Sequence, residues 1–193
     1  MSVGVALYLS GEGRKQIEGA WKRVLAAGFP SPARVPGQRP HVSLVNGEGE
    51  LPLAHHLGSE LAVPLARVDP FACELQALAF LLGNRRVAYY PLVESTVLRK
   101  IHETVYNMAV AAGVQVRETY APGAWVPHLS LAGDVAEHRE EEFRAALDLE
   151  DSPTSVLFAE AGVVYWRHAT ALIQVATFAL GNGERCPGRL TSA

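Results

Sequence analysis

One pentapeptide pattern occurs twice, once in each half of the chain: Pro40-His41-Val42-Ser43-Leu44 and Pro127-His128-Leu129-Ser130-Leu131. The copies differ only in the middle aliphatic residue. In a strand, side chains at i and i+2 share a face, about 6.5 Å apart along the chain. Each copy therefore sets an imidazole and a hydroxyl on one side. Val42 or Leu129, with Leu44 or Leu131, points to the other. Such a strand is polar toward a cleft and apolar toward a core.

A bare His-x-Ser/Thr pattern is a weak signal. The chain also holds His102-Glu103-Thr104 and His168-Ala169-Thr170. The first lies on a predicted helix, where i and i+2 do not share a face. The second sits at the expected turn of the C-terminal hairpin, with Arg167 before it. Neither has the preceding proline or the alternating apolar frame. A single strand-end histidine would read as a hydrogen-bonded core residue, but sheet packing has no need of the same polar pair twice. Both pentapeptides are expected to form a functional site.

The segments around them partly repeat. Val3 to Leu9 is a β-prone apolar run that predicts a buried strand. Ile17, Ala20, Trp21, Val24 and Leu25 then mark one face of a helix that Gly28 caps. A Pro/Gly/Arg loop, Ser31 to Pro40, feeds the strand His41 to Val45, which Asn46-Gly47 is expected to end. Leu53 to Ala62 predicts a weak helix bracketed by Pro52 and Pro64. Phe71 to Leu82 and Arg85 to Val93 predict a hairpin turning at Gly83-Asn84.

A second helix runs from the N-cap Ser95 to Gly113, with Val97, Leu98, Ile101, Val105, Met108 and Ala109 as its apolar face. A proline-bearing loop, Tyr120 to Pro127, feeds the strand His128 to Ala132. Asp134 and Glu137 predict a capping box for a helix ending near Leu147. Thr154 to Trp166 and Ala169 to Leu180 predict a closing hairpin. Each half thus offers a helix, a short histidine-bearing strand and a hairpin. The expectation is a duplicated α+β plan, with residues 1–193 forming one domain of two similar lobes.

Composition narrows the function classes. With 193 residues, 49% of them hydrophobic and only 19% charged, the chain can bury a full core and is not disordered. No apolar run reaches the roughly 18 residues of a membrane span, and Met1 to Ser10 reads as a strand, not a signal peptide. A cytoplasmic protein without a membrane partner is expected. Cys73 and Cys186 are far apart and expected to be reduced, and no Cys/His cluster has zinc spacing. No metal or cofactor is expected.

A net charge of −3 argues against a basic coat for long nucleic acid. A small anionic substrate needs only a local basic pocket. Arginine supplies most of the basic charge, lysine standing only at Lys15, Lys22 and Lys100. Its planar fork suits phosphate.

The paired motifs resemble those of the two-histidine (2H) phosphoesterase superfamily, which includes the RNA ligase-like 2′,3′-cyclic phosphodiesterases. The similarity spans most of the chain and is strongest in Tyr120 to Leu131, Y-A-P-G-A-W-V-P-H-L-S-L. It implies a bilobal α+β fold, with two antiparallel sheets around a central cleft, helices outside and one motif from each lobe. It also implies cleavage of 2′,3′-cyclic or 2′,5′-linked phosphodiesters without a metal. On that resemblance His41 and His128 would be the acid–base pair, and Ser43 and Ser130 the ligands of phosphate oxygens. Serine stands where the family often has threonine, which keeps the donor. Ala132-Gly133-Asp134 stands where an arginine or lysine often follows the second motif.

The chemistry needs these groups. Opening a cyclic phosphate takes a proton from water and delivers one to the departing ribose oxygen. Two imidazoles titrating near ~6.5 can be one base and one acid at neutral pH. Serine hydroxyls can donate to the non-bridging oxygens of the transition state. Trp125 and Tyr120, just before His128, are candidate stacking partners for a nucleobase. Tyr8, ending the first strand, is a candidate cleft residue. Arg34 and Arg39 are placed to guide a phosphate, Arg85 and Arg86 read as turn charges, and His55 and His56 have no metal spacing.

The expected partner is a small nucleotide or RNA end, bound by a monomer. The alternatives are 2′,5′ RNA ligation at the same site, a nucleotide- or RNA-binding module without turnover, and a His-ligated metal hydrolase. The last is disfavoured because no carboxylate or third histidine joins either motif at ligand spacing.

Overall fold

The computed structural model describes residues 1–81, 86–149, 152–168, 171–181 and 189–190. In order, the elements are β1 (Ser2–Ser10), α1 (Gly11–Ala26), β2 (His41–Glu48), α2 (Leu51–Ala66), β3 (Phe71–Glu74), β4 (Ala79–Leu81) and β5 (Val87–Pro91). They continue with α3 (Thr96–Ala112), β6 (Gln115–Val116), β7 (His128–Ala132), α4 (Glu140–Leu147), β8 (Ser155–His168), β9 (Ala171–Ala179) and β10 (Arg189–Leu190). Short 3-10 turns stand at Pro32–Arg34, Glu118–Tyr120 and Glu137–Arg139.

Two antiparallel sheets result. The larger runs β10-β9-β8-β1-β2-β6, with β3 also paired to β8, and the smaller runs β4-β5-β7. The fold is α+β, as the duplicated pattern predicts, but the strands are divided unequally. The C-terminal hairpin joins β1 and β2, so both chain ends build the sheet of the first motif. The middle of the chain builds the sheet of the second. Helices are exchanged: α1 packs on β7 and α4, whereas α3 packs on β2 and α2 on β8 and β9. Among the described residues no helix is long and apolar enough to cross a membrane.

β1 is a central strand, paired to β2 on one side and β8 on the other, and apolar from Val3 to Leu9. Val3, Val5, Leu7 and Leu9 join the main core. Alternation turns Gly4, Ala6 and Tyr8 to the opposite, concave face. The same rule sends Val42, Leu44, Leu129 and Leu131 into the core, all fully buried. Each such burial contributes about 1.5–3 kcal/mol.

Several local expectations are corrected. The run Phe71 to Leu82 is split: β3 leaves for the large sheet, and only β4 pairs with β5. The predicted turn at Gly83-Asn84 lies outside the described residues, as do Arg85 and Cys186. Cys73 is a buried free thiol. The helix expected at 53–62 spans Leu51–Ala66 and includes both prolines. Pro52 falls in the first turn, where no intrahelical acceptor is required, and burial of Leu57, Leu61 and Leu65 offsets the cost of Pro64.

In α3, Ser95 Oγ accepts from Leu98 N and Gly113 is left-handed, as the caps predict. Val97, however, is exposed and His102 is buried in its stead. The capping box expected at Asp134 is not at the start of a helix: Ala136 caps a 3-10 turn and α4 starts only at Glu140.

Asn46-Gly47 does not end β2. Gly47 sits inside the sheet between Val3 and Val116. A Cβ there would lie 2.5 Å from the Gln115 carbonyl oxygen. Glycine thus serves close backbone approach, not a turn. Gly47→Ala is expected to destabilise by about 1–3 kcal/mol, because a backbone atom must move. A lower urea midpoint at unchanged slope would show it.

Candidate functional site

The two motifs are built alike. Leu9 N–H donates to the Pro40 carbonyl and Leu92 N–H to the Pro127 carbonyl, both at 3.0 Å, so a neighbouring backbone grips each motif at its proline. Each strand bulges just after its serine. Val5 pairs with Val45 and Ala6 with Ser43, leaving Leu44 extra. Ala88 pairs with Ala132 and Tyr89 with Ser130, leaving Leu131 extra. A bulge bends the strand and re-aims its side chains.

Among the described residues, each strand has only one ladder neighbour over its motif. Such an edge leaves carbonyl groups in need of donors. Two indoles supply them. Trp125 Nε1 donates to the Ser43 carbonyl at 3.0 Å, and Trp21 Nε1 to the Ser130 carbonyl at 2.9 Å. Trp125 lies three residues before His128, so its bond ties the second motif's loop to the first motif's strand. The strands β2 and β7 themselves lie against each other.

Backbone carbonyls set the tautomer of both histidines. His41 Nδ1 is 2.7 Å from the Arg39 oxygen, and His128 Nδ1 is 2.8 Å from the Val126 oxygen. A carbonyl can only accept, so each Nδ1 carries hydrogen and each Nε2 is left for proton exchange. The Gln38 amide also approaches His41 Nδ1, at 3.3 Å. With that nitrogen protonated, the amide oxygen suits the place, and the contact would partner a Gln38 Oε1 that otherwise has none.

Burial lowers the pKa of both rings, and the carbonyl bonds oppose it. The charge of a protonated His128 also lowers His41. The charge on His128 thus reaches His41, as the smallest of the influences on that ring.

Tyr8 faces the concave side. Its hydroxyl donates to Gln174 Oε1 at 2.7 Å, and its ring stands edge-on to His41 at 6.4 Å. Arg39 stacks 4.1 Å above that ring and forms an ion pair with Glu160. The Tyr120 side chain lies near Ser43, and burial raises the phenol's pKa. Trp125 is half-buried, one face stacked on His102 at 3.9 Å with planes 4° apart. His102 Nε2 donates to the Tyr120 carbonyl at 2.9 Å. That ring face and the indole N–H are thus engaged in holding the loop.

Two neighbours, Tyr89 and His102, were not among the expected site residues. Tyr89 stands edge-on to His128 at 5.4 Å, the counterpart of Tyr8 beside His41. Only the pairing of β5 with β7 reveals it. His102 could have been found, since it falls four residues after Leu98 and three before Val105, on the buried stripe of α3. Of the arginines weighed, Arg86 is not a solvated turn charge: it pairs with Glu140 and stacks on Phe80.

A cavity of about 120 Å³ opens beside the first motif, with Tyr8, Arg39, His41, Ser43, Asn46 and Trp166 among its walls. His128 and Ser130 are not among them. Among the described residues no three His, Cys, Asp or Glu side chains are grouped to hold a metal ion.

Fold and site together define an α+β protein of two antiparallel sheets that presents a His-x-Ser strand from each. Residues 13–170 match the 2′-5′ RNA ligase superfamily, and the chain belongs to that family. Among solved structures, E. coli LigT in apo form is similar, with a TM-score of 0.62, 18% identity and coverage of 93% of this chain and 96% of that one. TT0787 of Thermus thermophilus gives 0.61, 20%, and coverage of 96% and 100%. Kluyveromyces marxianus Usb1 gives 0.50, 13%, and coverage of 90% and 96%. At these identities the likeness shows the fold. Comparison with curated protein sequences finds no match.

Proposed function

We propose that the protein is a phosphodiesterase that opens 2′,3′-cyclic phosphates or cleaves 2′,5′-phosphodiesters of a nucleotide or RNA end, residues 1–193 acting as one bilobal unit. The observation that carries this reading is the matched state of the two imidazoles. Each has Nδ1 committed to a carbonyl two residues upstream, and each is half-buried beside a serine on the same strand face. Solved structures of E. coli LigT complexed with 3′-AMP and with ATP agree with a nucleotide ligand.

The neutral ring takes a proton from water on its Nε2 as the water oxygen bonds to phosphorus. The bond from phosphorus to one ribose oxygen breaks, and the charged ring gives that oxygen its Nε2 proton. The product is a nucleoside 2′- or 3′-monophosphate. Ser43 and Ser130 donate to the non-bridging oxygens as negative charge gathers there. A ribose 5′-hydroxyl in place of water turns the same exchange into 2′,5′ ligation, the reading that the family's name favours.

The test is turnover of nucleoside 2′,3′-cyclic phosphates and 2′,5′-linked dinucleotides, each with and without a strong chelator. Activity is expected to survive the chelator. The active form holds one neutral and one charged imidazole. Since both pKa values are lowered in the free protein, kcat/KM should be bell-shaped with its maximum on the acid side of 6.5. A bound phosphate anion favours the imidazolium, so the kcat profile should move to higher pH. A kcat/KM that rises to an alkaline plateau would contradict the acid–base pair.

A further inference from the structure

His102 heads the His-Glu-Thr triplet on α3, and the reaction proposed above has no use for its imidazole. The ring is nevertheless buried. A buried polar ring needs a hydrogen-bond partner, and this one donates from Nε2 to the Tyr120 carbonyl at 2.9 Å. Burial lowers its pKa, against the opposing pull of that carbonyl and of the Glu103 and Glu94 carboxylates. The neutral ring is thereby favoured, with its single hydrogen on Nε2. One flat face lies on the Trp125 indole, 3.9 Å away with planes 4° apart, and Tyr106 stands at 6.2 Å. Phenylalanine would supply only the stacked face and glutamine only the N–H. The imidazole supplies both.

What His102 grips is the crossing from one motif strand to the other. Residues 117–127 leave β6 in the large sheet and enter β7 in the small one. At the start of the crossing Arg117 N–H donates to the Asn46 carbonyl, and near its end Trp125 Nε1 donates to the Ser43 carbonyl, both at 3.0 Å. Both acceptors lie on β2. The crossing ends at Pro127, whose carbonyl accepts from Leu92, and the next residue is His128. Its internal bonds, Tyr120 N–H to the Arg117 carbonyl, Ala121 N–H to Glu118 and Trp125 N–H to Ala121, are local turns. They fix its shape but not its place over β2. His102 supplies a further hold, from a helix that itself packs on β2.

We infer that His102 is a positioning residue: by clamping the crossing at Tyr120 and Trp125, it sets where His128 stands relative to His41. It acts through the crossing and not on the phosphate. This rests on the acid–base reading of the two motif histidines. Two groups that must reach one phosphorus from separate sheets tolerate little displacement, and 1 Å can cost about 10²-fold in rate.

The test compares H102A, H102F and H102Q with V105A, which trims a buried residue one turn further along the same stripe of α3. Turnover of a nucleoside 2′,3′-cyclic phosphate is measured beside the urea midpoint. H102A is expected to lose at least ~10-fold in kcat, with KM changed by less than about 2-fold. H102F and H102Q should each recover part of that loss, since each restores one contact. V105A should lower the urea midpoint and keep its kcat. Because His102 and Trp125 act in series, the H102A and W125A losses should combine to far less than their product.

Full kcat in H102A overturns the proposal, as does a V105A enzyme whose kcat falls in step with its stability, or H102A and W125A losses that multiply. If H102A does not fold, wild-type kcat in both H102F and H102Q decides against it. If the wild type opens no diester, the phosphodiesterase reading fails by itself, and NMR then decides the clamp. H102A, or H102Q in its place, should shift the ring resonances of both His41 and His128 and speed exchange of the Trp125 indole N–H, while V105A leaves all three. Unmoved motif histidines would refute the clamp.

Discussion

Replacing either His41 or His128 with alanine is expected to cut kcat by at least ~10²-fold. Each positioned acid or base is worth about 10²–10⁴, and each ring here has the one protonation pattern that the reaction can use. With Nδ1 held by a carbonyl, a neutral ring offers a lone pair at Nε2 and a charged ring offers a proton at that atom. Neither role passes to the remaining histidine, because one group cannot be base and acid in the same step. The double variant should therefore be little worse than the worse single one. Glutamine at either position should do no better than alanine, since an amide cannot exchange the proton. Initial rates on a cyclic phosphate, with circular dichroism to show that folding is kept, would check this. Near-wild-type turnover in either variant would remove the acid–base pair.

How the chain carries these rings was partly legible in advance. Alternation in Pro-His-apolar-Ser-Leu placed the imidazole and hydroxyl opposite two buried aliphatics, because that rule is local to a strand. The ends of α3 were equally local: Ser95 and Gly113 act within one turn of themselves. What failed depended on partners distant in sequence. Gly47 looked like a turn residue because its neighbour Gln115 is not visible from position 47. Phe71 to Leu82 looked like one strand because nothing in that run tells β3 to leave for β8. Tyr89 escaped notice since its place beside His128 follows from the register of β5 on β7. Tyr8 could be placed on a strand but not on a face, because which side of β1 meets the core follows from packing distant in sequence. The indole bonds of Trp21 and Trp125 join residues of opposite halves, which no periodicity reports.

Ser43→Ala should lower kcat by about 10²–10³ with a much smaller effect on KM, the size seen when one donor to a developing negative charge is removed. Trp125→Phe tests the backbone side of the same residue. It keeps an aromatic ring beside His102 but withdraws the N–H from the Ser43 carbonyl. Its loss should fall on kcat and leave the positions of the pH limbs unmoved, since neither His41 nor His128 is touched. Full kcat in S43A would mean that the Ser43 hydroxyl does not donate to the phosphate in the transition state.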